Sequence, residues 1–264
     1  MSGFSADWLS LREAADTRSR SDAVMAAAKA HFSSAAQISI CDLGSGTGAS
    51  VEAFGALFPR LQQWRLVDID ASNLERAHLR YAESDAVIVT TRVHDLVASP
   101  IAWADGTDLV TATALFDLVS QDWLEAFVAA LADARLPLLT TLTYDGRHVF
   151  SPHHPDDAEM HCAFDAHQMG EKSFGRALGP NACEVMIRLL RARGYTVMSG
   201  DSAWRLSSSC DAALIEQLLR GWAHAVAEAK LVDANVVDHW LEARRANTET
   251  LIVGHTDIFA YPGS

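Results

Sequence analysis

The chain has 264 residues, and its 34 acidic side chains outnumber its 21 Lys and Arg, which gives a formal net charge of −13. Such a surface repels phosphate backbones and gains nothing from counterion release, which argues against nucleic acid as a partner. No apolar run is long enough to cross a bilayer, Met1 to Trp8 lacks the features of a signal peptide, and the four cysteines are widely scattered. These features predict a cytoplasmic protein with reduced thiols, no membrane association and no bound metal, whereas the oligomeric state stays open.

Strand-like and helix-like patterns alternate along most of the chain. A helical stretch at 10–32 comes first, and strands centred on Ile40, Leu66, Ile88, Val110 and Leu139 follow, separated by helices at 49–58, 72–83 and 121–134. We then expect a helix at 181–193, a sixth strand at 195–198, helices at 210–230 and 232–246, and a last strand within 249–261. This alternation predicts a mostly parallel sheet with helices on both faces.

A glycine-rich loop follows the first predicted strand. Residues 38–48 read Ile-Ser-Ile-Cys-Asp-Leu-Gly-Ser-Gly-Thr-Gly, and a helical pattern begins directly afterwards. A strand that leads through a glycine loop into a helix is how α/β proteins build nucleotide sites, because a ligand can lie directly on glycine backbone. The spacing here is G-x-G-x-G, with Asp42 two residues before the first glycine, whereas dinucleotide dehydrogenases favour G-x-G-x-x-G.

This loop resembles motif I, D/E-x-G-x-G-x-G, of class I S-adenosylmethionine (SAM) methyltransferases. The resemblance covers roughly residues 36–195 and resumes at the C-terminal strand. It implies an α/β fold with a seven-stranded, mostly parallel, doubly wound sheet, an antiparallel last strand, and helical additions at the N-terminus and before the last strand. It also implies SAM as the cofactor, bound at this loop by Asp42, Gly44, Ser45, Gly46 and Gly48. An NAD(P) enzyme with an unusual glycine loop is the weaker alternative.

A second acidic segment lies about 20 residues beyond the loop, where α/β nucleotide folds place a ribose-binding acid. Residues 64–70 form an apolar strand pattern that ends in Asp68-Ile69-Asp70. In the methyltransferase pattern the ribose acid precedes an apolar helix residue by six positions and a small one by nine, which Asp68 satisfies. We therefore assign Asp68 to the ribose, Ile69 to the adenine face and Asp70 mainly to capping the next helix.

Three further cofactor contacts follow from the resemblance. Asp95 and Leu96 match the position where the family binds the adenine amino group and a ring nitrogen. Thr113 lies at the end of the strand that resembles motif IV, beside the methyl group. Arg18 or Arg20, in the N-terminal stretch, is a candidate partner for the SAM carboxylate, although a solvated helix face is the preferred explanation for either arginine alone. Arg244 and Arg245 are expected on the surface.

A segment after the fifth strand is the predicted substrate lid. After residues 144–148 the sequence predicts a long irregular stretch to Gly179, with at most a short helix at 164–168, and loops of this length are usually functional. Its histidines titrate near neutrality, so they are candidate bases for a hydroxyl or phenol acceptor. His167 is the preferred catalytic base, before His153 and His154, and Tyr144 is the candidate that orients the acceptor.

The predicted organisation is one methyltransferase domain over residues 1–264. It comprises an N-terminal helical cap (1–35), a SAM-binding core (36–150), a lid insertion (151–180) and a C-terminal half with a helical insertion (181–264). The predicted function is an enzyme that transfers a methyl group from SAM to a small-molecule acceptor. A catalytically inactive SAM-binding partner subunit is the alternative.

Overall fold

The computed structural model describes residues 6–59, 61–84 and 87–263. Residues 1–5 of the segment considered for a signal peptide, and Ala86 at the start of the expected third strand, lie outside the described residues. Among the described helices, none combines the length and the apolar character that crossing a bilayer requires.

The N-terminal helical stretch consists of two helices, α1 (Ala6–Arg18) and α2 (Asp22–His31). The break falls at Ser21, whose backbone is extended and whose N–H donates to the buried carboxylate of Asp257 at 2.9 Å. Because this N–H is bound to a side chain, the chain changes direction there instead of continuing as one helix.

The first half of the chain forms the parallel part of the sheet. Its elements are β1 (Gln37–Leu43), α3 (Ala49–Gly55), β2 (Leu61–Asp68), α4 (Ala71–Tyr81), β3 (Val87–Val93), β4 (Leu109–Thr113), α5 (Gln121–Asp133) and β5 (Leu138–Ser151). The carboxyl ends of β1, β2 and β4 therefore lie at one edge of the sheet, which is where open α/β folds bind ligands.

The second half adds antiparallel strands and a group of helices. Its elements are α6 (Asp157–Gln168), the short hairpin β6 (Glu171–Lys172) and β7 (Gly175–Arg176), α7 (Ala182–Ala192), β8 (Tyr195–Asp201), β9 (Trp204–Ser207), α8 (Ser208–Ala229), α9 (Ala234–Asn247) and β10 (Thr250–Pro262). Helices α6, α8 and α9 pack together beside the second half of β5 and the first half of β10, around the buried side chains of Trp204, Trp222 and Trp240.

The strand order is β3-β2-β1-β4-β5-β10-β8, and β9 pairs with the first part of β10. Strands β1 to β5 pair in parallel, whereas β10 is antiparallel to both β5 and β8. The predicted seven-stranded sheet with an antiparallel last strand is thus confirmed, and β9 is an additional short strand.

The prediction that the chain is irregular from the end of 144–148 to Gly179 was wrong. Strand β5 continues to Ser151 because β10 pairs with it along this whole length, as far as Thr250 opposite Ser151. Helix α6 spans 157–168 and packs on α8, and the small β6–β7 hairpin follows. The turn-like residues Asp145 and Gly146 suggested that the strand stops there, but pairing with β10 overrides this local preference.

Arg244 is another correction, because it is buried and not on the surface. Its side chain is 2% exposed and pairs with Asp157 at the start of α6, and its Nη1 donates to the carbonyl of Pro152 at 2.6 Å. The guanidinium also lies 4.4 Å from the centre of the Phe150 ring. Arg244 therefore ties α9 to the end of β5 and the beginning of α6, whereas Arg245 lies on the surface as expected.

Candidate functional site

The glycine loop connects β1 to α3 at the ligand edge of the sheet. Gly44, Gly46 and Gly48 have φ values of +63°, +52° and +81°, a region that L side chains rarely adopt. The N–H of Ser45 donates to the carbonyl of Val67 at 3.0 Å, so that the loop is fastened to the end of β2. The side-chain oxygen of Ser45 is buried and has no partner among the described residues.

Asp68 braces the loop from the end of β2. One carboxylate oxygen accepts the N–H of Gly46 at 2.8 Å, and the other accepts the N–H of Asp70 at 2.9 Å. Asp70 itself caps α4 by accepting the N–H of Ser72 at 2.8 Å, as the sequence predicted for a capping residue. Between the two acids, Ile69 is 61% exposed, which leaves its apolar side chain free to cover a ligand.

Asp42 lies beneath the loop in a fully buried position. Its Oδ1 accepts the hydroxyl of Thr111 at 2.6 Å. Burial raises the pKa of Asp42 to about 7, although hydrogen bonds from Thr111 and Ser50 act in the opposite direction. The carboxyl group thus changes its charge close to neutral pH.

Residues from β3 and β4 complete this edge. Asp95 follows β3 and accepts the N–H of Val97 at 2.9 Å, and the carbonyl of the buried Leu96 accepts the indole N–H of Trp123 at 2.6 Å. At the end of β4, the hydroxyl of Thr113 lies 3.0 Å from that of Thr141. The structure therefore brings the predicted cofactor residues of β1, β2, β3 and β4 to one edge of the sheet.

Arg20 reaches this region from the N-terminal cap. Its Nη1 donates to the hydroxyl of Thr141 at 2.8 Å, and its guanidinium lies 4.6 Å from the centre of the Phe54 ring. Burial lowers the pKa of Arg20, whereas the carboxylates of Asp257 and Asp16 raise it. Arg20 is thus not a solvated helix residue: its charge points into the protein, next to the hydroxyl of Thr141, which in turn lies next to that of Thr113.

Helix α1 covers both the loop and the space next to it. A Cβ placed on Gly46 would lie 3.3 Å from Cδ1 of Leu9. Trp8 and Arg12, on the same helix, line the neighbouring cavity described below. A single helix therefore forms the cover of two adjoining sites.

The donors and acceptors around the loop fit SAM. A ligand can lie directly on the glycine backbone of the loop, and the carboxylate of Asp68 can accept hydrogen bonds from ribose hydroxyls. The exposed apolar side chain of Ile69 can cover the face of an adenine. The buried hydroxyl of Ser45 has a free hydrogen-bonding position for such a ligand. When bound, SAM supplies a methyl group on a positively charged sulfur, which is a good leaving group.

A cavity of about 160 Å³ lies beside this region, between α1, β5, α6, α8 and the start of β10. Its wall begins at Ala114, the residue directly after Thr113. The aromatic part of the wall consists of Trp8, Tyr144, Phe164, Trp204 and Trp222. The polar part consists of Arg12, Asp117, His148, Gln168 and His255.

Burial shifts the pKa of Asp117, His148 and His255 in the cavity wall. It raises the pKa of Asp117 to about 6, although backbone hydrogen bonds and Arg12 lower it, and the Oδ1 atom of Asp117 has no hydrogen-bond partner among the described residues. Burial lowers the pKa of His148 to about 3 and that of His255 to about 4. At neutral pH both imidazoles are therefore uncharged, and Asp117 carries the charge.

The predicted catalytic pair is separated in the structure. Tyr144 lines the cavity, but its hydroxyl donates to Asp165 at 2.6 Å, and burial together with this carboxylate raises its pKa. His167 is not among the residues that line the cavity, and its Nε2 lies 3.2 Å from Glu228. The next residue, Gln168, does line it.

Asp117, His148 and His255 of the cavity wall are not among the site residues that the sequence predicted. Asp117 is detectable in principle, since it is an acid four residues after the strand that resembles motif IV. His148 and His255 line the same cavity only because β5 and β10 pair, with Val253 opposite His148 and His255 opposite Tyr144. No local pattern in the sequence indicates that pairing.

The fold and the loop define the class of this protein. A glycine loop after β1, an acid after β2 and an antiparallel last strand are the features of a class I SAM-dependent methyltransferase, and dehydrogenase sheets lack that last strand. Residues 40–137 match the family model described as "Methyltransferase domain". The chain therefore carries a class I SAM-dependent methyltransferase domain, and its cofactor is SAM, as the resemblance predicted.

Solved structures share the fold at low sequence identity. The cyclopropane synthase MmaA2 from Mycobacterium tuberculosis has a TM-score of 0.53 and 13% identity, over 97% of this chain and 94% of that chain. The YcgJ protein from Bacillus subtilis has a TM-score of 0.52 and 11% identity, over 92% of this chain and 100% of that chain. No curated protein matches the sequence significantly. At these identities the similarity shows a common fold and does not identify the acceptor.

Proposed function

We propose that this methyltransferase acts on a small-molecule acceptor that binds in the cavity next to the glycine loop. The observation that carries the proposal is the continuity of the two sites. Thr113 ends β4 beside the loop, and the following residue, Ala114, already belongs to the cavity wall. A methyl group presented at the end of β4 would therefore face the cavity.

The cavity has the character of a small-molecule site. It is concave, and aromatic and aliphatic side chains form most of its wall beside a smaller number of polar groups, which is the usual composition of such pockets. Its volume of about 160 Å³ suits a molecule much smaller than a nucleic acid or a folded protein. The net charge of −13 agrees with this choice, since it disfavours a phosphate backbone.

The proposed cofactor contacts are those predicted from the sequence. Asp68 binds the ribose, Ile69 covers the adenine, and Asp95 with Leu96 binds the adenine edge. The loop from Asp42 to Gly48 and the end of β4 at Thr113 hold the rest of the SAM molecule, and Arg20 provides a positive charge near the SAM carboxylate. The support is that these side chains lie at one edge of the sheet and that Asp68 already contacts the loop.

The chain is proposed to act as one domain. Helix α1 in the N-terminal cap, β5 and the segment after β4 in the core, α6 in the 151–180 insertion, and α8 and β10 in the C-terminal half all contribute to one cavity wall. The role of α6 and the β6–β7 hairpin as a lid that closes over the ligand stays a prediction, and so does the catalytic role of His167.

The residues of the site contribute mainly by alignment. Holding a nucleophile in line with the methyl group and sulfur can account for roughly 7–11 kcal/mol of the barrier. Helix α1 lies over both parts of the site, because a Cβ on Gly46 would lie 3.3 Å from Leu9 while Trp8 of the same helix lines the cavity.

The test has two stages that separate binding from catalysis. Calorimetry with S-adenosylhomocysteine (SAH) should show one site per chain. Incubation with methyl-labelled SAM and pools of small metabolites, followed by mass spectrometry, should then yield a labelled small molecule, and Ala114→Trp, which fills the cavity next to β4, should abolish labelling while SAH still binds.

Label found only on macromolecules would contradict the proposal. SAH binding without any turnover on amines, phenols, thiols or carboxylic acids, in the presence of cellular extract, would favour the alternative of an inactive partner subunit.

A further inference from the structure

The cavity wall combines aromatic rings with a buried carboxylate. We propose that the acceptor is an amine, which enters as its ammonium ion, lies against the rings of Trp204 and Trp222, and pairs with the carboxylate of Asp117. This proposal rests on the proposed function, because it names the acceptor class of the same site.

The rings form two sides that a cation can contact. On one side, the ring centres of Trp222 and Tyr144 lie 4.2 Å and 5.3 Å from that of His148. On the other side, Trp204 lies 4.8 Å from His255. Cations are attracted to the faces of aromatic rings, most strongly to tryptophan, and the attraction increases when water is excluded.

Asp117 supplies the negative charge for this ligand. Its residue lines the cavity, and its buried Oδ1 has no hydrogen-bond partner among the described residues. A buried carboxylate oxygen without a partner is costly, and an ammonium group would satisfy it with both charge and N–H donors.

The other ionisable groups of the wall do not cancel this charge. Arg12 is the cation that also faces the cavity, but its Nε pairs with Asp16 at 3.0 Å, and Asp16 further accepts the indole N–H of Trp204 at 3.1 Å. His148 and His255 are uncharged at neutral pH, since burial lowers their pKa to about 3 and about 4. Asp16, behind the wall, therefore balances the charge of Arg12, and the charge of Asp117 is not balanced by this pair.

Asp117 also provides a place for the proton that the reaction releases. An ammonium nitrogen has no lone pair, so its proton passes first to the carboxylate of Asp117. The nitrogen then forms a bond to the methyl carbon while the bond from this carbon to sulfur breaks and its electron pair stays on sulfur. The methylated ammonium leaves with the positive charge that the sulfonium carried, and Asp117 returns its proton to water.

Among the ionisable groups of the cavity wall, Asp117 is well suited to this exchange. Burial raises the pKa of Asp117 to about 6, so it is ionised when the ligand arrives and can still accept a proton. His148 and His255 are weaker bases in the same wall, and His167 contacts Glu228 outside it.

Three probes of nearly equal shape test the charge of the preferred ligand: choline, its uncharged analogue 3,3-dimethylbutan-1-ol, and the anion 3,3-dimethylbutanoate. Choline cannot be methylated at its nitrogen, so NMR titration of the protein, with and without SAH, reports binding alone. We expect choline to bind at least about tenfold more tightly than either analogue. Equal binding of choline and the alcohol, or tighter binding of the anion, would overturn the proposal.

A pair of variants locates the charge. Asp117→Asn should reduce the choline affinity about tenfold or more and leave the affinity for the alcohol unchanged, whereas Asp105→Asn, which removes an exposed charge from a turn, should change neither. Full choline affinity in a folded Asp117→Asn protein contradicts the assignment. If that variant does not fold, the comparison of the three probes on the unmodified protein still decides.

The outcome also separates this inference from the proposed function. Failure to bind SAH would contradict the proposed function itself. Normal SAH binding together with methylation of a phenol, thiol or carboxylic acid would leave the methyltransferase assignment in place and overturn only the choice of an amine.

Discussion

Replacing Asp68 with asparagine should weaken the binding of SAH without unfolding the protein. The two carboxylate oxygens of Asp68 accept the N–H groups of Gly46 and Asp70, at 2.8 Å and 2.9 Å, and the same oxygens are the proposed ribose acceptors. Asparagine keeps one oxygen and replaces the other by an NH₂ group. A hydrogen bond to a charged group contributes about 1.5–3 kcal/mol, so the loss of one corresponds to roughly 10- to 150-fold weaker binding.

Calorimetry with SAH is the assay, and Asp70→Asn is the matched control. The control removes the same charge two residues away but keeps an efficient helix cap, so SAH affinity should stay within about threefold of the original. The 2′-deoxy analogue of SAH distinguishes ribose binding from bracing of the loop, because it should bind less tightly to the original protein and show a smaller loss with Asp68→Asn. Equal losses from both variants, or an unchanged affinity of Asp68→Asn, would refute the assignment of the ribose to Asp68.

Three further predictions follow from the packing. Gly46→Val should abolish SAH binding in calorimetry, because the φ of Gly46 is +52° and a Cβ there would lie 3.3 Å from a side chain of α1. The control Gly221→Ala, whose Cβ would have nothing within 4 Å, should bind SAH normally and raise the free energy of unfolding by about 0.5–1 kcal/mol. Normal SAH binding by the valine variant would contradict the loop assignment. Arg244→Met should lower the free energy of unfolding in urea by about 3–5 kcal/mol, because Asp157 loses the buried cation with which it pairs. Arg245→Met, on the surface, should cost at most about 1 kcal/mol, and similar values for both variants would contradict the burial argument. Folding raises the pKa of Asp42 from 3.8 to about 7, so between these pH values the folded protein binds a proton that the unfolded chain does not, and the protein becomes more stable as the pH falls through 7. The stabilising effect of Asp42→Asn should therefore be largest at pH 8 and shrink towards pH 5 by roughly 1.4 kcal/mol per pH unit. A pH-independent difference in unfolding free energy between the two proteins would show that the carboxyl group titrates normally.

The parallel half of the fold was predictable because its signals are local. The glycine loop, the acids after β2 and the cap at Asp70 depend on residues close together in sequence, and the observed φ values and hydrogen bonds agree with them. The strand order follows from the family that these motifs indicate. Such features require no knowledge of long-range contacts.

The cavity was not predictable because it depends on contacts that are distant in sequence. Residues 145–151 look like a turn and a polar loop, yet they form a strand because β10, about 100 positions later, pairs with them. The same pairing turns His148 and His255 towards one cavity. Arg244 is buried only because Asp157 of α6 lies opposite, and neither residue shows this in its own surroundings.

Asp117 illustrates the limit for chemical roles. Its position after β4 was visible in the sequence, but its raised pKa comes from burial under α1 and the neighbouring walls. Histidines seemed better candidates because their ordinary pKa is near neutral. In the folded protein burial reverses that order, since it moves Asp117 towards neutrality and the cavity histidines away from it.

A crystal structure of the protein with bound SAH tests the central claim most directly. The account predicts that the ribose hydroxyls lie on Asp68, that the adenine contacts Ile69, and that the sulfur points past Thr113 towards Ala114 and the cavity. A ligand whose sulfur faces away from the cavity, or a ribose bound elsewhere than at Asp68, would contradict the account.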